Sequence, residues 1–252
     1  MWNSIKKIIK PVTLTEAWQD KKRNSSFYSG GSYLLADKPE EIETLIDLQE
    51  LLKSKIFINE DILYLGAAAE LQLIMDRLKR ELPEYPLIKA IQNSCPSINI
   101  RNQRSVGGEI GQNRPSSDVL VFLHAVKARL TVFKEDESSV SIRNWDGKGI
   151  ITEISLPVKF KSINYQRYAV IPSAPAIVVI TGVNFGDNFE FAVGGTADLI
   201  QNFQVPAAKW NNEAALSLAR TAGANFKEDH LGSAEYKISL LETAFKRTGE
   251  VL

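Results

Sequence analysis

Two pairs of adjacent glycines, each flanked by serines, are the residues of this chain best suited to hold an anion. The first lies in Tyr28-Ser29-Gly30-Gly31-Ser32-Tyr33. The second lies in the stretch Ile100–Asp118, where Ser105 stands two positions before Gly107-Gly108 and a carboxylate, Asp118, closes the stretch. Glycines let a backbone approach a ligand with no Cβ in the way, and successive unbonded N–H groups can cradle a phosphate. Asp118 could accept hydrogen bonds from sugar or polyol hydroxyls. Each pair reads as entered from a strand, and two such loops would grip one dinucleotide from two sides. The same sequences also make plain tight connections between elements, with no ligand at all.

The elements that must position these loops are legible in outline. Thr13-Leu14-Thr15-Glu16 is a capping box that opens a short helix to about Lys22. Ser26–Ser29 is a strand running into the first glycine pair, Ser32–Ala36 a helical turn, and Thr44–Leu48 a strand. Ile56–Ile58 and Ile62–Leu65 form a hairpin about Asn59-Glu60-Asp61. Leu71, Ile74, Met75, Leu78 and Leu82 recur at helical spacing over Glu70–Leu82, and Leu87–Ser94 is a second helix. Past the second glycine pair come an apolar helix over Val119–Ala128, a hairpin over residues 129–143, and a strand over Ile150–Leu156 ended by Pro157. Strands over Ser162–Ala169, Ala176–Val183 and Phe189–Gly194 precede helices over Asn212–Ala222 and Ser233–Thr248. The last of these should bury Tyr236, Leu240, Leu241, Ala244 and Phe245 on one face. The pattern predicts an α+β fold with mainly antiparallel sheets and helices on the flanks.

Composition narrows the function. The 252 residues can bury a sizeable core in two or three subdomains. Lys+Arg 30 balance Asp+Glu 30, so no global field draws the chain to nucleic acid or to an acidic membrane. No apolar run approaches a membrane span, and residues 1–10 lack the apolar core of a secretory signal, so the expected compartment is the cytoplasm. One cysteine, Cys95, excludes an internal disulfide framework and a self-contained iron–sulfur cluster. Two distant histidines, His124 and His230, give no metal-ligand cluster and no Ser-His-Asp constellation, and neither lies in a glycine loop. No catalytic side chain is therefore assigned. No GxGxxG opens a helix after the first strand, so a Rossmann nucleotide site is not supported.

The combination of motifs resembles the FAD-binding medium subunits of molybdenum hydroxylases, the xanthine dehydrogenase and carbon monoxide dehydrogenase family. Ser29-Gly30-Gly31-Ser32-Tyr33-Leu34 is similar to the first flavin motif of that family. Ile100-Arg101-Asn102, Ser105-Val106-Gly107-Gly108, Pro115 and Ser117-Asp118 are similar to the second. Ile62–Ala67, Glu153–Pro157 and Gly232–Lys237 follow in the family's order, so the resemblance covers nearly the whole chain.

That resemblance implies a two-lobed FAD-binding domain of the vanillyl-alcohol oxidase type plus a C-terminal antiparallel sheet-and-helix domain. The lobes would be residues 1–55 and 56–158, and the C-terminal domain residues 159–252. It implies FAD contacts from Ser29, Gly30, Gly31, Ser32, Tyr33 and Leu34, and from Ser105, Val106, Gly107, Gly108 and Glu109. Asp118 would meet the ribityl or ribose portion and Ile151 the flavin ring, with Gln166 and Arg167 both open for a further polar contact. The implied function is xanthine dehydrogenase-like electron transfer, from an iron–sulfur subunit through FAD to NAD or another acceptor, with hydroxylation on a separate molybdenum-binding subunit. A non-redox assembly scaffold that has lost FAD is the alternative.

Two positions depart from the family pattern. Many relatives carry an acidic residue where Tyr33 stands and an asparagine where Glu109 stands. The short members similar to flavin subunits of selenium-dependent hydroxylases do carry Gly-Gly-Glu. A carboxylate at Glu109 would repel a diphosphate unless it turns away or meets a cation, for which Arg101, Arg104 and Arg114 are candidates. Arg101 could instead neutralise a phosphate or form a structural ion pair beneath the loop.

Overall fold

A computed structural model describes residues 2–252. In chain order the first elements are β1 (Lys7–Ile9), α1 (Leu14–Gln19), β2 (Ser25–Tyr28), α2 (Leu34–Asp37) and β3 (Thr44–Asp47). Next come β4 (Ile56–Asn59), β5 (Ile62–Gly66), α3 (Leu71–Glu81), α4 (Leu87–Ser94), α5 (Ile98–Arg101), α6 (Val106–Gly111) and α7 (Asp118–Ala125). The remainder is β6 (Arg129–Phe133), β7 (Glu137–Ser141), β8 (Ile150–Pro157), β9 (Ser162–Tyr168), β10 (Val178–Asn184), β11 (Asn188–Gly195), β12 (Gln201–Pro206), α8 (Asn212–Gly223) and α9 (Ala234–Gly249). The fold is α+β, as the sequence predicts. The chain forms two compact units, the first from residues 1–77, 97–112 and 129–155, the second from residues 78–96, 113–128 and 156–252.

The first unit holds two sheets. A three-stranded sheet runs in the order β1-β3-β2, with both pairings parallel. This departs from the expected antiparallel rule. Parallel strands need a crossover between them, and α1 and α2 supply it here. Thr13 caps α1 by accepting from the Glu16 N–H at 3.1 Å, and the Glu16 carboxylate reaches back to the Val12 N–H at 2.9 Å, a close relative of the capping box. Ala17 of α1 packs with Ile46, Leu48 and Ile150, flanked by Trp18 and Phe27. The second sheet runs β4-β5-β8-β6-β7. Its β4–β5 hairpin turns through Glu60 and Asp61, both at positive φ, 47° and 64°. Two successive left-handed residues make the tight turn whose twist suits a hairpin.

The second unit is built on the antiparallel sheet β12-β11-β10-β9. Strands β10 and β11 are buried along nearly their full length, which requires cover on both faces. One face packs Val178, Ile180, Phe191 and Val193 against Ala219, Leu241, Ala244 and Phe245 of α8 and α9. The other receives α7, so closely that a Cβ on Gly194 would fall 2.2 Å from the Pro115 carbonyl and 2.6 Å from Val121. Gly194 is thus structural. Trp210 stacks on Phe191, ring centroids 4.9 Å apart.

Helix α9 corrects one expectation. Leu241, Ala244 and Phe245 are buried, but Tyr236 is 48% exposed and its neighbour Lys237 is fully buried. The ammonium of Lys237 reaches the Asp229 carboxylate and the Lys227 carbonyl, both at 2.7 Å, which ties the segment before α9 to the helix. A buried lysine with two oxygens is tolerated where a bare one is not. Strands β1 and β12 and the short helices α5 and α6 are additions to the sequence outline. β1 is only three residues long, β12 alternates without a strong apolar face, and the helices are too short to show a period.

Tyr85 and Tyr165 make the second unit sensitive to alkali. Burial raises the Tyr85 phenol well above its ordinary value. Burial, and then the Asp118 carboxylate beside it, do the same for Tyr165. Both protons are held in the fold and released in the unfolded chain near the ordinary value of 10.0. Stability is therefore full below that pH and falls as the pH climbs above it. Ultraviolet titration should show these two tyrosines ionising only with loss of near-ultraviolet circular dichroism. Ionisation in the intact fold would contradict it.

Candidate functional site

Both glycine pairs lie in the first unit, and they meet. Gly30 sits on the backbone of Gln103, where a built Cβ would fall 1.5 Å from the carbonyl oxygen. No residue but glycine fits that approach. Gly31 follows at φ +70°, the left-handed region, folded under the Tyr28 ring. The chain then turns into α2. Among the described residues no acceptor meets the backbone N–H groups of Ser29, Gly30, Gly31 or Ser32. The first pair thus presents four unengaged backbone donors.

The second pair behaves differently. It is entered from the helical turn α5, not from a strand, and both glycines lie inside α6. Ser105 is the cap of that helix, accepting from the Gly108 N–H at 3.2 Å. The Val106 N–H goes to the Ala69 carbonyl, the Gly107 N–H to the Ala67 carbonyl and the Glu109 N–H to the Ser105 carbonyl, each at 2.9 Å. Successive free N–H groups are therefore absent here. Gly107 is a packing glycine, since a Cβ would press on Ala67 at 2.8 Å. Gly108 faces open space, with only the Ser105 hydroxyl at 3.0 Å from a built Cβ, and Gly111 has nothing within 4 Å.

Three cavities of the first unit meet at Ser29 and Ser105. The smallest, about 60 Å³, is lined by Ser29, Gly30, Gly31, Ser32, Tyr33 and Leu34 with Arg104, Ser105, Gly108 and Gln112. The next, about 200 Å³, is lined by Ser29, Ser105, Gly107, Gly108 and Ile151 together with Lys21, Phe27, Tyr28 and Trp145. The third, about 620 Å³, lies along Tyr28, Ser29, Gly30, Gln49, Glu70, Asn102, Gln103 and Ser105. The structure so brings together Ser29–Leu34, Ser105, Gly107, Gly108 and Ile151. Val106 is buried beneath them and Glu109 is 1% exposed. Asp118 belongs to the second unit, buried, with its carboxylate accepting from the Tyr165 hydroxyl at 2.5 Å and paired with Arg167 Nε at 3.1 Å. Gln166 also lies in that unit, its amide 3.2 Å from Asn164.

Arg104 is a cation that meets Glu109. Its Nη1 lies 3.5 Å from Glu109 Oε2, and Arg101 Nε donates to Gln72 at 2.8 Å. Arg104 also donates to the Ser32 hydroxyl at 3.1 Å and to the Tyr33 hydroxyl at 2.9 Å. Lys21, beside the middle cavity, has its pKa lowered by burial. Lys21, Phe27 and Trp145 lie outside any glycine motif, so only the folded chain reveals them at the site.

A sequence profile described as the FAD binding domain in molybdopterin dehydrogenase matches residues 3–158, more than half of the chain. This chain belongs to that family. Among curated proteins none matches in sequence. Solved structures match in fold. A carbon monoxide dehydrogenase from Hydrogenophaga pseudoflava, in a form lacking the Mo-pyranopterin moiety of its molybdenum cofactor, aligns with a TM-score of 0.80 at 19% identity over 98% of this chain and 96% of that one. Quinoline 2-oxidoreductase from Pseudomonas putida 86 gives 0.76 at 16% identity, over 98% and 95%. Reconstituted CO dehydrogenase from Oligotropha carboxidovorans gives 0.74 at 16%, over 98% and 96%.

FAD is the cofactor of this family's domain, and the residues present suit it. The four unengaged N–H groups of Ser29–Ser32 offer donors for a diphosphate. Gly108 leaves a space that any side chain would fill. Phe27, Tyr28, Trp145 and Ile151 add apolar and aromatic surface in the same unit for a flat ring.

Proposed function

We propose that this chain is the FAD-binding electron-transfer subunit of a molybdenum hydroxylase. The observation that carries the proposal is the seat of Gly30 on the Gln103 backbone, which sets an open cradle beside Gly108 in one unit. FAD, when bound, supplies the capacity to take up two electrons and pass them on. The chain's own residues hold and orient it. Ser29–Leu34 offer donors to the diphosphate, Gly108 leaves it room, and Ile151 with Trp145 shields the ring from water. Asp118 is the ribityl contact in this reading, presented as a carboxylate already fixed by Tyr165 and Arg167. No acid or base side chain is required, which agrees with the lack of a catalytic constellation in the sequence.

The proposed partners are an iron–sulfur subunit that delivers electrons and a molybdenum-binding subunit that hydroxylates the substrate, with NAD or another acceptor downstream. One thiol, Cys95, is too few to hold an iron–sulfur cluster, which supports the delivery of electrons by a partner. The assembly would be cytoplasmic and xanthine dehydrogenase-like, acting on an N-heterocyclic substrate. No helix among the described residues is long and apolar enough to cross a membrane. The purified chain should be yellow, with about one flavin per chain released on denaturation. A colourless chain that cannot be reconstituted with FAD yet still binds the partner subunits would establish the scaffold alternative instead.

A further inference from the structure

Arg104 is held at the first glycine loop by neutral groups. Its Nε donates to the Ser32 hydroxyl at 3.1 Å, its Nη1 donates to the Tyr33 hydroxyl at 2.9 Å, and its guanidinium carbon lies 3.9 Å from the centre of the Tyr33 ring. The side chain is nine-tenths buried, at 10% exposure. A guanidinium carries five N–H donors in one plane. Among the described residues neither N–H of Nη2 meets an acceptor, and the group lines the same small cavity as Ser29–Leu34. Two sets of unengaged donors, four from the backbone and two from Arg104, therefore border one small space.

Glu109 offsets part of that charge, from the Nη1 side alone. Its carboxylate oxygen stands 3.5 Å from Nη1, beyond the roughly 2.7–2.9 Å of a charge-assisted hydrogen bond. It leaves Nη2 uncovered. The departure at Tyr33 has the same sense. A carboxylate there would take the guanidinium for itself, whereas a phenol shelves it by its ring and hydroxyl and leaves its charge available. An anion arriving at Arg104 also meets a side chain whose rotamer is already fixed, so little ordering entropy is lost.

We infer that Arg104 is a binding residue for the cofactor's diphosphate, with Tyr33 and Ser32 as its positioning residues. The inference rests on the FAD reading above and adds the charge that the first loop's neutral residues lack. Apoprotein of the full chain is titrated with FAD, and in parallel with riboflavin, which has no diphosphate, by quenching of flavin fluorescence. Arg104→Gln should weaken FAD binding about 10- to 100-fold, the worth of a charge-assisted contact, and leave riboflavin unchanged. The salt dependence of FAD affinity should flatten in the same variant. Arg104→Lys, which keeps the charge without the fork, should fall between. Equal losses for FAD and riboflavin, or an Arg104→Gln affinity within about threefold of wild type with the salt slope intact, would overturn the inference.

Should Arg104→Gln not fold, Glu109→Gln decides. Removing the carboxylate beside the guanidinium should tighten FAD binding several-fold, and unchanged or weaker binding overturns the inference. A wild-type chain that takes up no FAD sinks this inference and the reading beneath it together. FAD uptake indifferent to Arg104 sinks this one alone.

Discussion

Gly108→Val should yield a folded, colourless protein, and Gly107→Val an unstable one. The two glycines are neighbours in sequence, but their Cα hydrogens face different things. At Gly107 a side chain runs into Ala67, at 2.8 Å from both its Cβ and its carbonyl oxygen, in a turn whose N–H contacts anchor α6. Overpacking of that kind costs about 1–3 kcal/mol. At Gly108 a Cβ meets only the Ser105 hydroxyl, so the fold loses at most the cap, about 1 kcal/mol. The valine methyls then stand in the cavity where the cofactor would lie. FAD affinity should fall by more than about a hundredfold, which is over 2.7 kcal/mol of lost binding. Flavin absorbance per chain and a thermal melt on each variant separate the two effects. Full flavin content in a folded Gly108→Val protein would show that the cofactor does not pass this residue.

The largest stability effect is expected at Asp118. Its carboxylate is 1% exposed and faces Arg167, whose side chain is 8% exposed, at 3.1 Å. Tyr165 donates to the same oxygen and in turn accepts from Asn93 at 2.9 Å. Asp118→Asn keeps the shape and removes the charge, leaving a buried guanidinium without its counter-ion. Breaking one side of a buried pair costs about 3–5 kcal/mol, a large part of a typical domain's stability. Denaturant melts of the variant should show this loss, and a double variant with Arg167→Met should recover part of it. A melt within about 1 kcal/mol of wild type would mean that the pair contributes nothing to the second unit. FAD affinity, measured on the folded fraction of the same variant, tests the proposed ribityl contact separately.

Sequence reasoning reached the elements whose periods are strong. Leu87–Ser94 is helix α4 to the residue, and the strands on either side of Glu60-Asp61 fall where the alternation places them. It placed the first glycine pair between a strand and a helical turn, where the structure has β2 and α2. It misread the second pair as a loop. Two glycines argue against helix by propensity, yet Ser105 caps them and the Ala67 and Ala69 carbonyls take up their first donors. These are tertiary partners that no local window contains. Arg104 could be named as one of three candidate cations for Glu109, but only the fold shows its contacts with Ser32, Tyr33 and Glu109. Lys237 defeated the periodicity argument because its ammonium finds oxygens on the preceding segment, Asp229 and the Lys227 carbonyl.

The contact between Gly30 and Gln103 joins positions far apart along the chain. During synthesis the first loop leaves the ribosome well before the residue it must rest on. Until Gln103 and the helix after it have emerged, the loop lacks the backbone on which Gly30 rests, so a nascent or truncated chain ending ahead of Gln103 has only part of its cradle. Loading of the flavin therefore belongs late in the life of the polypeptide, after most of the first unit has been translated.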